Sequence, residues 1–174
     1  MYKAFKKVTL ALCIIAITVM PAYASNTTDY IEKYKALVAS LSAEYGIPIS
    51  IITAISVIES GAGKSRNCIL LKNHFGIIGK NKLLKTKGIR SKFKQYKTDE
   101  DSFRDFCKMI SRKKYYTKLK GSNDYKAWIN AMAKAGYSTT PDVWKREILN
   151  AIKRNNLTNA NIPTIVEAED VSSF

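Results

Sequence analysis

The feature of the sequence that most constrains its fold is a nearly unbroken apolar segment at residues 49–58. Isoleucine, alanine and valine fall on nearly every side of a helix drawn through it, and Pro48 stands where that helix would begin. A helix that is apolar all round has to be buried. The sequence therefore predicts a core helix that runs into Glu59 and stops at Gly61.

Apolar residues at helical spacing predict four further helices. The first is expected over residues 29–45, with Asp29 as its cap. Another is expected to begin after Thr98, whose hydroxyl can cap a helix with an acidic first turn. The remaining two are expected over residues 122–135 and from Pro141 onward.

The stretch 61–98 interrupts this helical pattern. It lacks a helical period and contains five glycines. Its alternating piece at 89–96 predicts a small β-hairpin lobe. The expected fold class is therefore mainly α (α+β), with a helical lobe, a small β-hairpin lobe and a cleft between them.

Residues 1–24 have the pattern of a secretory signal peptide. Three lysines precede an uncharged, mostly apolar run at 8–20, and Ala22-Tyr23-Ala24 gives a small-x-small cleavage site. The alternative is an uncleaved N-terminal anchor. We expect export to the cell wall, periplasm or medium, no stable membrane insertion after cleavage, one monomeric domain at 25–156, and a mobile acidic tail at 157–174.

The charge of the chain is strongly positive. Lysine and arginine number 29 against 14 acids, for a formal net charge of +15. The stretch 61–98 alone holds eleven of the basic residues and no acid. In an exported protein this predicts an anionic partner, which could be cell-wall glycan with its peptide carboxylates, teichoic acid, lipid head groups or stray DNA. We expect peptidoglycan strands as the partner and no nucleic acid. The alternative is that the lysines only give solubility.

Several classes of site are excluded or limited by composition. A single histidine excludes zinc sites built on two or more histidines, and no nucleotide-binding glycine motif occurs, so no metal or cofactor is expected. Cys68 and Cys107 form an even pair in an oxidising compartment and could make a disulfide. Two free buried thiols are the alternative.

Glu59 is the residue that most indicates chemistry. A carboxyl group at the end of an apolar helix is expected to lose solvent, and this raises its pKa toward that of a general acid. It also lies at the helix end where the dipole disfavours negative charge. The alternative is a structural ion pair with Lys64 or Arg66.

Glycosidases usually need a second carboxylate near the general acid. Asp99, Glu100 and Asp101 are the nearest downstream candidates, but they are better explained as acids in the first turn of a helix. A substrate with a 2-acetamido group offers another route, because that group can attack its own anomeric carbon. A tyrosine hydroxyl could orient it.

Four segments, in order, resemble the motifs of bacterial glucosaminidase domains (glycoside hydrolase family 73). They read I-E-S-G-A-G-K-S at 58–65, N-H-F-G-I at 73–77, F-K-Q-Y-K-T at 93–98 with an acidic segment at 101–105, and A-G-Y-S-T at 135–139. Together they span nearly the whole predicted domain. A lysine stands at position 94, where the family usually has arginine.

This resemblance implies a lysozyme-like fold that cleaves the β-1,4 bond after N-acetylglucosamine in peptidoglycan. Glu59 matches the general acid, and Tyr137 matches the motif tyrosine beside the acetamido group. Many members take a second acid from the β-lobe, and this sequence has none there. The substrate-binding positions that follow are Ser60, Asn73, His74, Phe75, Gly76 and Tyr96.

Three competing interpretations stay open at the level of sequence. A lytic transglycosylase also works with a single glutamate and shares the E-S-G signature. A catalytically inert cationic wall-binding protein would explain the charge and the missing acid. A Cys68–His74 peptidase pair is disfavoured, because such enzymes usually place the cysteine at a helix start and the histidine far away in sequence.

Overall fold

The computed structural model describes residues 21–158, with side chains from Thr27 onward. The predicted signal residues 1–20 and the tail residues 159–174 lie outside the described range. Within that range no helix is long and apolar enough to cross a membrane. The helices are α1 Pro21–Tyr45, α2 Ile49–Ser60, α3 Arg66–Leu71, α4 Leu83–Lys87, α5 Asp99–Ser111, α6 Tyr116–Leu119, α7 Tyr125–Lys134 and α8 Pro141–Arg154.

Helix α2 is the centre of the core, as its composition predicts. It packs against α1, α7 and α8, and nearly all of its residues are buried. Gly61 ends it in a left-handed conformation, with φ of 56°. This backbone is strained for side-chain-bearing residues, so glycine fixes the helix end two residues after Glu59.

The ends of the other helices follow local chemistry, with one correction. Thr98 and Asp101 form a reciprocal capping box at α5, and Pro141 starts α8. The predicted cap at Asp29 is wrong, because α1 already begins at Pro21. At the other end, Leu157 is buried against the core, so the first residue of the predicted tail is part of the packed body.

The predicted β-hairpin is reduced to one antiparallel bridge between Ile78 and Phe93. Two side-chain amides take carbonyl groups that a ladder would use: Asn73 donates to Lys94 O at 2.9 Å, and Asn81 donates to Phe93 O at 2.8 Å. Helix α4 occupies the connection where a tight turn would be needed. The lobe is therefore a pair of extended segments joined by a few backbone hydrogen bonds, such as Lys94 N–H to Ile77 O at 2.8 Å, and by these side-chain amides.

Candidate active site

A cavity of about 540 Å³ lies beside the end of α2. Its walls include Glu59, the loop segment 75–78 and the connection 135–139 between α7 and α8. The core helix delivers the carboxyl group, and two glycine-containing loops leave space in front of it. The cleft predicted next to Glu59 is thus present.

The Glu59 carboxyl group is held at one oxygen. Oε1 accepts a hydrogen bond from Nε1 of Trp144 at 3.1 Å. Burial raises the pKa of Glu59, and the Trp144 hydrogen bond opposes this only in part. No described lysine or arginine forms an ion pair with Glu59, so the predicted alternative of pairing with Lys64 or Arg66 is not seen.

Tyr137 lines the same cavity. Its ring packs on Trp144, with 5.0 Å between centroids. Its hydroxyl oxygen is buried and has no hydrogen-bond partner among the described residues. Burial, with the nearby Glu59 charge, raises the pKa of Tyr137 well above its usual value. Glu59, Tyr137 and Trp144 are called the Glu59 group below.

Phe75 and Gly76, two of the predicted substrate-binding residues, also line the cavity. The Phe75 ring stacks on Phe106 with centroids 4.1 Å apart, which fixes this wall to α5. Gly76 has a φ of 65°, and a Cβ added there would lie 3.6 Å from Oε2 of Glu59. Position 76 therefore requires glycine, because this positive φ is strained for residues with a side chain. The glycine lies next to Oε2, the second oxygen of the carboxyl group.

Ser60, Asn73 and Tyr96 do not line this cavity, so the substrate contacts predicted for them find no support in the structure. Ser60 donates to Ser56 O at 2.6 Å, and Tyr96 donates to Asp105 at 2.8 Å. Asn73 is fully buried and uses both ends of its amide on backbone groups. These side chains shape the loops instead.

His74 also points away from the Glu59 cavity, into a cluster with Tyr30, Cys68 and Asp99, called the histidine cluster below. Nε2 lies 3.3 Å from Asp99 Oδ1, and Nδ1 lies 2.8 Å from the Tyr30 hydroxyl and 3.4 Å from Cys68 Sγ. A carboxylate only accepts, so neutral His74 carries its proton on Nε2 and accepts from Tyr30 at Nδ1. Burial lowers the pKa of His74 despite Asp99.

The suggested disulfide between Cys68 and Cys107 is not formed. Both thiols are free and buried. Cys68 packs against His74, whereas Cys107 lies on the inner face of α5 within the hydrophobic core. Burial raises the pKa of Cys68 to about 11 and that of Cys107 to about 12.

The acids considered as a second carboxylate lie outside the cavity lining. Asp101 caps α5, and Glu100 pairs with Arg104 at 3.1 Å. Asp99 joins the histidine cluster. Burial alone would raise its pKa, but hydrogen bonds from Tyr34 and His74 hold it below its usual value. Their interpretation as acids in the first turn of a helix is therefore consistent with the structure.

Trp144 is the residue that sequence reasoning missed. It lies on α8 and is only 4% exposed. A buried tryptophan still has an N–H group that needs an acceptor. Two features of the sequence could have indicated this contact. A core tryptophan, which needs an acceptor, follows soon after the Tyr137 motif, and the most apolar helix carries one acid.

Comparisons with known proteins identify relatives of this chain. The family model for mannosyl-glycoprotein endo-beta-N-acetylglucosaminidase matches residues 35–157. The exo-glucosaminidase LytG of Bacillus subtilis is 29% identical over 160 residues, which cover 78% of this chain. The chain spans 57% of the length of LytG.

Two solved structures share the fold at low identity. The catalytic domain of the autolysin Auto from Listeria monocytogenes gives a TM-score of 0.63 at 20% identity, covering 82% of this chain and 90% of that one. The glycoside hydrolase domain of Salmonella typhimurium FlgJ gives 0.59 at 20% identity, covering 75% and 88%. The predicted lysozyme-like, mainly helical fold is confirmed, and the chain belongs to the glucosaminidase family (glycoside hydrolase family 73).

Proposed function

We propose that this protein hydrolyses the β-1,4 bond after N-acetylglucosamine at internal positions of peptidoglycan strands, with Glu59 as the general acid. The observation that carries this proposal is a carboxyl group of raised pKa facing a cavity of about 540 Å³. A raised pKa keeps more of the acid protonated near neutral pH, which is what donation to a leaving oxygen requires.

Trp144 gives the acid its orientation. Its N–H occupies Oε1, and Oε2 is the oxygen next to Gly76 and the cavity. The transferable proton is therefore assigned to Oε2. Because the indole N–H stabilises the ionised carboxylate, it also limits how far the pKa of Glu59 rises.

The bond is cleaved with help from the substrate. Glu59 is the one acid among the residues that line the cavity. The acetamido oxygen of the sugar attacks C1 as the leaving oxygen takes the proton from Glu59, which gives an oxazolinium ion and frees the rest of the strand. Glu59 then takes a proton from water as the water opens that ring. Tyr137, which lines the same cavity, contacts the acetamido group.

The setting of the reaction is the bacterial cell wall. We propose that residues 1–24 direct export and are removed, and that the monomer acts there without metal or cofactor. The positive charge of the chain, +15 over its full length and +12 once the three lysines of residues 1–24 are removed, draws it to the anionic wall. Binding of this kind weakens as salt screens the charges.

Product analysis on purified peptidoglycan tests the proposal. Mass spectrometry should find reducing N-acetylglucosamine ends, and long fragments early in the digest should show internal cleavage; LytG, by its name, works from chain ends. Glu59→Gln should release nothing. Glu100→Gln is the matched control, because Glu100 is an exposed glutamate outside the cavity, and it should digest like wild type.

Three results would contradict the proposal in different ways. Ends carrying 1,6-anhydro-muramic acid would identify a lytic transglycosylase that uses the same glutamate. Equal digestion by wild type and Glu59→Gln would remove the general acid. Binding to wall without any release of fragments by either protein would identify an inert cationic wall-binding protein.

A further inference from the structure

A second depression, of about 280 Å³, lies on the basic stretch 61–98 and is called the basic groove here. Three of its lining residues are exposed cations: Arg66, Arg90 and Lys92. Four others are apolar, one buried and three half-buried. These are Leu70, Leu83, Ile89 and Phe93. The groove thus combines an apolar surface with positive charge.

The positive charge of the groove is not neutralised by any described residue. No acid within residues 21–158 lines it, and none of its three cations forms an ion pair there. Lys94 in the same stretch differs, because its Nζ lies 2.7 Å from Asp105 Oδ2. Unpaired cations gathered at a concave surface favour an anionic ligand from outside.

The groove lies next to the cavity that holds Glu59. Ile78 lines the cavity and Phe93 lines the groove, and these two residues form the antiparallel bridge of the small lobe. Phe93 Cε1 also lies 3.9 Å from the position of a Cβ on Gly76, the cavity residue beside Glu59. A polymer bound at the cavity can therefore place a side branch in the groove.

We propose that the basic groove binds the carboxylates of the peptide stems on the peptidoglycan strand being cut. This rests on the proposed function, since it assigns a second contact to the same substrate. Stem peptides carry alanine methyl groups together with carboxylates, which matches the apolar surface and the cations. A polyol-phosphate polymer would use the cations alone. Guanidinium groups pair with carboxylates through two parallel hydrogen bonds, which suits Arg66 and Arg90.

The double variant Arg66→Gln/Arg90→Gln tests the groove. Its kcat/KM is compared on two substrates: peptide-bearing glycan strands, and the same strands after an amidase has removed the peptides. We expect a loss of about fivefold on the peptide-bearing strands alone, mostly in KM, because exposed ion pairs contribute modestly. Arg146→Gln/Arg154→Gln is the matched control, since both are exposed arginines on α8 outside the groove.

Every other result obtained with an active wild type overturns the groove proposal. An equal loss with the control variant would show attraction by net charge alone. An equal loss on stripped glycan would show that the arginines contact sugar or support the fold. A loss that disappears when phosphate polymers are removed from the wall, with the peptides left in place, would assign the groove to those polymers. Failure of the wild type to cut either substrate would instead refute the proposed function.

Discussion

The Glu59 group and the histidine cluster lie at either end of the loop 73–76. They differ in whether their polar atoms already have hydrogen-bond partners. In the Glu59 group, Oε2 of Glu59 lies on the cavity side of the carboxyl group. The hydroxyl of Tyr137 has no hydrogen-bond partner among the described residues. In the histidine cluster, both ring nitrogens of His74 and the Tyr30 hydroxyl are engaged, and Asp99 also accepts from Tyr34 at 2.7 Å.

A cavity alone does not separate the two groups, because a depression of about 440 Å³ also adjoins the histidine cluster. What separates them is the effect that a raised pKa has on the reactive group. Burial brings the pKa of Glu59 up, toward the range of a general acid, whereas it raises the pKa of Cys68 to about 11 and so works against a thiolate. The disfavoured peptidase pair is therefore in contact but held in its unreactive form.

The largest effect is expected from Glu59→Gln, which should lower activity without lowering stability. Loss of the general acid should lower kcat by at least about 100-fold. The melting temperature at pH 7 should stay equal or rise, because a carboxylate that burial penalises becomes a neutral amide. Any stability gain should shrink toward pH 4.5, where the unfolded carboxyl also binds its proton. A fall in melting temperature at pH 7 would show that the carboxylate stabilises the fold.

Asn73→Ala should break the loop that joins the two groups. The amide of Asn73 binds two carbonyls and two backbone N–H groups inside the protein, so its removal leaves buried polar atoms unpaired. We expect a loss of about 3 kcal/mol in the free energy of unfolding, measured by urea denaturation. Asn123→Ala, at an exposed site, is the control and should change little. Equal small effects would show that backbone geometry alone holds the loop.

Local signals in the sequence predicted much of the fold. The all-round apolar pattern of 49–58 fixed the central helix, and Thr98 followed by Asp101 fixed a helix start. Glu59 was found because an acid on such a helix needs an explanation. These features depend on neighbours within a few residues, and a single sequence shows them directly.

Contacts between distant residues were not predictable in the same way. The bond from Trp144 to Glu59 joins residues 85 positions apart, and its donor looks like any core tryptophan. Asn73 and Asn81 look like loop residues, but their amides bind backbone carbonyl groups that the ladder of a hairpin would use. The N-H-F-G-I segment located the cavity wall, yet only the fold shows that His74 turns away from it.

Trp144→Phe should change the pH dependence of the Glu59 group without removing its acid. The indole N–H stabilises the ionised carboxylate, so its loss should raise the pKa of Glu59 further. The high-pH limb of the kcat/KM profile, where the general acid loses its proton, should then move upward by about one unit. Trp128→Phe is the matched control, because it deletes an indole N–H that binds Ser122 O instead. A shift common to both variants, or a downward shift for Trp144→Phe, would contradict the role given to this hydrogen bond.

The smallest effect is expected from His74→Gln, and it is best measured in the Glu59→Gln background. Burial lowers the pKa of His74 below 6.5, so under acid conditions the unfolded chain binds a proton that the folded chain resists. Stability from this group is complete above pH 6.5 and is lost below it, by at most about 1.4 kcal/mol per pH unit. The contribution of Glu59 to stability changes with pH in the opposite direction, because its pKa is raised in the folded protein. Replacing Glu59 therefore isolates the titration of the single histidine in the chain. Urea denaturation at pH 7.5 and 5.5 should show this loss for Glu59→Gln and a smaller one for Glu59→Gln/His74→Gln. Equal losses in the two proteins would show that His74 takes up its proton as readily in the cluster as in the unfolded chain.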